Sequence, residues 1–140
     1  MNNNEDAKEV RDILDMLEMN VKEVETFTAT IYVGSYVNET KETIKRSVVE
    51  DTLKAYCDSV GFCVTLTDTQ FIYTEGSEPG YIVGLINYPR FPKAKKDVLE
   101  NAFTIAFMLK TVCKQQRVTF VTDSKTYMLS DKESLDNDLE

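Results

Sequence analysis

Hydrophobic residues along this chain change from a helical period to a strand period and back several times. Between Glu5 and Asn20, Val10, Ile13, Leu14 and Leu17 recur at three- and four-residue steps among charged neighbours, the pattern of an amphipathic helix. Periodicity reports a buried face and not its cover, so the domain's own sheet and the same helix of a second copy are equal candidates. From Phe27 to Val37 the period becomes two, with Phe27, Ala29, Ile31 and Val33 on one face and Thr28, Thr30 and Tyr32 on the other, which predicts a strand. Ser47-Val48-Val49-Glu50 has the form of a capping box, so a helix starts there or earlier. Val48, Val49, Leu53, Tyr56, Cys57 and Val60 give it one stripe, and Gly61 supplies a left-handed stop.

Phe62 to Tyr73 and Gly80 to Tyr88 are rich in β-branched and aromatic residues, and the Gly/Pro segment from Glu75 to Gly80 between them predicts an antiparallel hairpin. Pro89 and Pro92 remove backbone donors and take Asn87–Pro92 out of the sheet, with Pro92 placed to open the next helix. That helix is expected over Lys93 to Gln115, its face made by Val98, Leu99, Ala102, Phe103, Ala106, Leu109, Val112 and Cys113. Arg117 to Asp123 alternates as a strand, and Thr126 to Leu129 can return along an edge.

After the first helix the order is strand, helix, strand, strand, helix, strand, which predicts an α+β, ferredoxin-like βαββαβ antiparallel sheet with helices on one face. The expected organisation is an N-terminal helix in 1–26, a ligand-binding domain in 27–130 and an acidic disordered tail in 131–140. The uncovered sheet face carries Tyr32 and must meet solvent, a ligand or another copy.

Composition narrows the class. With 140 residues, 42% hydrophobic and 29% charged, the chain can bury one core without metal or disulfide staples. No stretch approaches the length of a membrane span and the first residues lack the order of a signal peptide, so a cytoplasmic protein without a membrane partner is expected. Three cysteines without a CxxC pair suit reduced thiols. The net charge of -8 argues against nucleic acid as a partner. Against that acidity, residues 87–117 carry +5, from Arg90, Lys93, Lys95, Lys96, Lys110, Lys114 and Arg117 against Asp97 and Glu100.

The chain has no histidine and no Gly-rich phosphate loop, nucleophile elbow or HExxH helix, which removes the usual hydrolase machinery and the commonest metal ligand. Adjacent carboxylates such as Glu50 and Asp51 point in different directions on a helix, so no metal and no cofactor are expected. What the residues permit is an anion and nucleotide site. Arg90 and Arg117 can fork onto phosphate, helped by the N-terminus of the helix near Lys93. Asn87 can meet a base edge or ribose, and Tyr88, Phe91, Phe71 or Tyr73 can stack on a purine. Tyr88 and Phe91 serve equally well as core caps at a strand end. A binding domain without catalytic activity is expected.

Three segments carry a family resemblance: Thr30-Ile31-Tyr32-Val33-Gly34, the hairpin end from Gly84 to Pro92, and Arg117-Val118-Thr119-Phe120. Across about residues 28 to 130 the chain resembles the Thoeris anti-defence type-one family, small phage proteins that hold cyclic ADP-ribose isomers without cutting them. The resemblance implies a homo-oligomeric sponge for an immune nucleotide, and the ligand's pyrophosphate, riboses and adenine match the residue types above. Two alternatives remain open at this level: an acidic protein that inhibits a host defence enzyme by contact, and a small nucleotide-sensing regulatory domain.

Overall fold

The computed structural model describes residues 3–37 and 40–131, so the expected acidic tail lies outside the described residues apart from Asp131. In chain order the elements are α1 (Asn3–Met16), β1 (Thr28–Gly34), α2 (Arg46–Val60), β2 (Thr65–Tyr73), β3 (Gly76–Ile86), α3 (Lys95–Val112), β4 (Arg117–Thr122) and β5 (Thr126–Ser130). The five strands form one sheet in the order β2-β3-β1-β4-β5, with every neighbouring pair antiparallel. Without β5 this is the ferredoxin-like order. The α2 crossover carries the chain beyond the place that β3 then fills, and β5 extends the β4 edge.

The alternation in β1 buries Ala29, Ile31 and Val33, and Tyr81, Val83 and Leu85 of β3 and Val118 and Phe120 of β4 share that face. Over it lies α3, which buries Val98, Ala102, Ile105, Ala106 and Leu109 at helical spacing, while α2 adds Val49 and Leu53 from alongside. Each large aliphatic side chain removed from water here contributes about 1.5–3 kcal/mol. Tyr81 keeps its hydroxyl satisfied by donating to the Ile44 carbonyl at 2.7 Å.

Several local expectations are corrected. The capping box does not form: α2 starts at Arg46 after Lys45, with no side-chain cap, and Glu50 pairs with Arg46 instead. Gly61 does end that helix, at φ 70°. The hairpin turns more tightly than the Gly/Pro run suggests, at Thr74-Glu75, because β3 pairs with β2 from Gly76 onward. Pro79 is tolerated there because β1 ends its pairing with β3 at Gly80. Pro92 does not open α3, because the Lys93 N–H is spent on Asn87 and the helix begins only after Ala94.

The cysteines are free thiols, and burial pushes Cys113 up to about 11. The first helix buries none of its apolar stripe, and Val10, Ile13 and Leu17 are all exposed. Among the described residues no helix is long and apolar enough to cross a membrane. Nor does any group of His, Cys, Asp and Glu among them have the make-up of a metal site.

Candidate functional site

The sheet face turned away from α2 and α3 carries Thr28, Thr30, Tyr32 and Gly34 of β1 beside Gly80, Ile82 and Gly84 of β3. At the end where β1 leaves the sheet and β3 and β4 enter it lies a cavity of about 520 Å³. Tyr32, Tyr36, Phe71, Glu78, Gln115 and Arg117 are among the residues that line it.

Gly34 of β1 lines it, and directly opposite in the register stands Gly80 of β3, over which the Phe71 ring lies. A Cβ on Gly80 would stand 2.3 Å from Phe71 Cε2 and 2.6 Å from the Val33 carbonyl oxygen. A Cβ on Gly34 would stand 2.9 Å from Gln115 Oε1 and 3.0 Å from Glu78 Oε2. The glycines therefore let an aromatic ring, a carboxylate and an amide lie flat on the sheet where side chains would otherwise stand.

Backbone bonds fix the polar groups. The Tyr36 N–H donates to Glu78 Oε2 at 3.1 Å, and Gln115 Nε2 donates to the carbonyls of Tyr36 at 2.8 Å and Cys113 at 2.9 Å. With its amide nitrogen engaged, Gln115 presents Oε1 over Gly34 beside the Glu78 carboxylate, so two electronegative groups converge on one spot. Lys114 and Arg117 bring positive charge to the same cavity. A second cavity of about 550 Å³ shares Tyr36, Glu78 and Gln115 as its wall and holds Tyr73.

The seven residues singled out from sequence are thus divided. Phe71 and Arg117 line the first cavity and Tyr73 the adjoining one. Asn87, Tyr88, Arg90 and Phe91 stand past the other end of β3, and the eight residue steps from Glu78 to Ile86 alone span about 27 Å. Asn87 is buried and structural in its contacts: Nδ2 donates to the Glu25 carbonyl and Oδ1 accepts from the Lys93 N–H, both at 2.9 Å. Tyr88 packs on Phe91 with ring centroids 5.6 Å apart, and Arg90 is exposed in the turn between them.

The basic island splits in the same way, with Arg90 and Lys93 before α3, Lys95 and Lys96 in its first turn, and Lys110, Lys114 and Arg117 at or just past its far end. That helix is about 27 Å long, so Arg90 and Arg117 do not form one anion site within a chain. Tyr36, Glu78 and Gln115 went unnoticed in the sequence. Glu78 sits in the Gly/Pro run that reads as a turn, and Gln115 reads as the end of a helix. The available signal was the small residue Gly34 directly after Tyr32 on the open face, a gap into which neighbouring side chains must lie.

Restoring a side chain at these glycines should undo the arrangement. Gly80→Ala is expected to cost about 1–3 kcal/mol, because the methyl meets backbone at Val33 as well as the Phe71 ring. Thermal melting measures it, and a second substitution, Phe71→Ala, should recover only the part due to the ring.

No family model and no curated protein matches the sequence. Two solved structures share the fold. One is a phage SAM lyase in complex with S-methyl-5'-thioadenosine, with a TM-score of 0.67 and 20% identity, covering 81% of this chain and 96% of that chain. The other is a phage SAM lyase in the apo state, with a TM-score of 0.62 and 19% identity, covering 81% and 97% respectively.

The expectation of a domain without catalytic activity is corrected by this likeness, since the fold is one that a lyase uses. The absence of histidine excludes imidazole acid–base chemistry. It does not exclude a reaction whose leaving group is a neutral thioether on a sulfonium, which needs no proton delivered to depart.

Proposed function

We propose that this chain binds S-adenosylmethionine in the cavity on its open sheet face and cleaves it to S-methyl-5'-thioadenosine. The observation that carries the proposal is the convergence of the Glu78 carboxylate and Gln115 Oε1 over Gly34, beside the Phe71 ring. A ligand with a cationic sulfur, an ammonium, a carboxylate and a purine finds a counterpart for each. Glu78 and Gln115 face the cationic part, Arg117 and Lys114 take the carboxylate, and Phe71 with Tyr32 offers faces for the adenine.

In the reaction the bond from sulfur to the amino-acid γ-carbon breaks and its electron pair stays on sulfur, giving the neutral thioether. The carbon left behind is satisfied by its own carboxylate, whose oxygen closes a lactone ring on it, and this route consumes no water. The protein's part is to orient the chain for that step and to exclude competing water.

A cyclic ADP-ribose is the competing ligand, and Lys114 and Arg117 favour it. Its pyrophosphate would, however, lie beside the Glu78 carboxylate, where like charges repel. Incubation of the purified protein with S-adenosylmethionine, followed by chromatography, is expected to show S-methyl-5'-thioadenosine in molar excess over protein. Absence of product, together with a rise in melting temperature on adding a cyclic ADP-ribose isomer and not S-adenosylmethionine, would reverse the assignment.

A further inference from the structure

Most of the apolar stripe at α1 is uncovered among the described residues: Ile13 is 55% and Leu17 63% exposed, and Leu14 is half-buried. A second uncovered apolar surface lies on the helix side of the sheet, where β5 extends the β4 edge. There Leu99, Phe103 and Phe107 follow one another at four-residue steps along α3. Phe103 meets Phe120 edge-on at 4.3 Å between centroids and Tyr127 of β5 at 5.7 Å. Phe107, one turn further on, is 64% exposed. In this layer α2 and α3 lie side by side, and α3 reaches β5 through the Phe103–Tyr127 contact.

The two surfaces are complementary in charge. Residues 3–16 carry five acids against two bases, with Asp6, Glu9 and Asp12 flanking the stripe. The receiving surface is bordered by Lys95, which lines a small cavity with Phe103 and Tyr127, and by Lys125 in the turn before β5. Asp123 in that turn is already engaged, accepting from the Thr28 N–H at 3.2 Å and from its hydroxyl at 2.9 Å.

The segment that joins α1 to β1 is tied down at two points. Asn87 pins the backbone at Glu25 and Phe27, through the Glu25 carbonyl at 2.9 Å and the Phe27 carbonyl at 3.2 Å. Arg11, in the middle of α1, pairs with Glu23, two residues before the pinned point. The chain between Leu17 and Glu23 folds back along its own helix, with the Met19 N–H donating to the Leu14 carbonyl at 3.0 Å.

We propose that α1 is an exchanged arm: its stripe docks on the Leu99–Phe103–Phe107 and Tyr127 surface of a second copy of this chain. A reciprocal exchange gives a self-complementary contact in which each copy supplies one helix and receives one.

Light scattering and sedimentation of the full chain test this with two variants, Ile13→Glu in the arm and Phe107→Glu in the receiving surface. Both residues are exposed, so the circular dichroism and melting of each monomer should match those of unassociated wild type. The wild-type chain is expected to self-associate, more weakly at high salt, and each variant alone to be monomeric. A mixture of the two is expected to form a hetero-complex, because the intact arm of the Phe107→Glu chain meets the intact surface of the Ile13→Glu chain. A wild-type monomer at high micromolar concentration overturns the proposal, as do self-association that survives either substitution and a mixture that stays monomeric. A monomeric wild type whose melting temperature falls with both substitutions would place the arm on its own chain.

Discussion

Replacing Glu78 by glutamine is expected to lower the rate of S-methyl-5'-thioadenosine release by about 10²–10³-fold at saturating S-adenosylmethionine, the loss typical of removing one preorganised electrostatic partner. The substitution is close to isosteric. An amide oxygen can still accept from the Tyr36 N–H now 3.1 Å from Glu78 Oε2, so the wall of the cavity should keep its shape. What disappears is the negative charge facing the cationic end of the ligand. Glu78→Asp keeps the charge and draws it back by a methylene, so its rate should lie between the two. The melting temperature of both variants should stay near that of the wild type, which separates a catalytic loss from a folding loss. A Glu78→Gln protein that releases product at the wild-type rate would show that the sulfonium sits elsewhere.

The scaffold could be read from the sequence because its signals are local and repeated. The two-residue period of Ala29, Ile31 and Val33 and the helical period of Val98, Ala102 and Leu109 each state which face is buried, and burial follows. The element order then selected the sheet, as few topologies join these pieces without crossing connections. The cavity is not encoded in that way. Glu78, Gln115 and Gly34 come from three distant parts of the chain and meet only because β3 pairs with β1 and the end of α3 returns over the same edge. Nothing in a period or a spacing expresses that meeting.

Phe71 and Arg117 stood out by chemistry, an aromatic and a cation on strands, and equally good chemistry marked Tyr88, Arg90 and Phe91 at the opposite end of the sheet from the cavity. Residue type narrows the candidates, and strand register decides between them. The turn at Thr74-Glu75 makes the point most directly. Starting β3 at Gly76 instead of Gly80 turns Glu78 from a loop residue into a side chain on the open face, opposite Phe71.

Asn87 separates a ligand residue from a structural one, and Asn87→Ala is expected to destabilise the protein by about 2–4 kcal/mol. The side chain offers one donor and one acceptor of use to a nucleotide, and the fold consumes both, at the Glu25 carbonyl and the Lys93 N–H. Alanine leaves two part-buried backbone groups without their side-chain partner, each costing about 1–2 kcal/mol. Chemical denaturation reads that loss. The Michaelis constant for S-adenosylmethionine should not change at temperatures where the variant is folded, because Glu78 lies about 30 Å away along β3. Asn87→Asp makes a finer comparison. It keeps the acceptor for Lys93 but sets a carboxylate oxygen against the Glu25 carbonyl, so it should destabilise the protein while leaving the start of α3 in place. If Asn87→Ala instead melts like the wild type and loses its ligand, the residues beyond Ile86 belong to the binding site. The open face between Gly34 and Gly80 would then be only its scaffold.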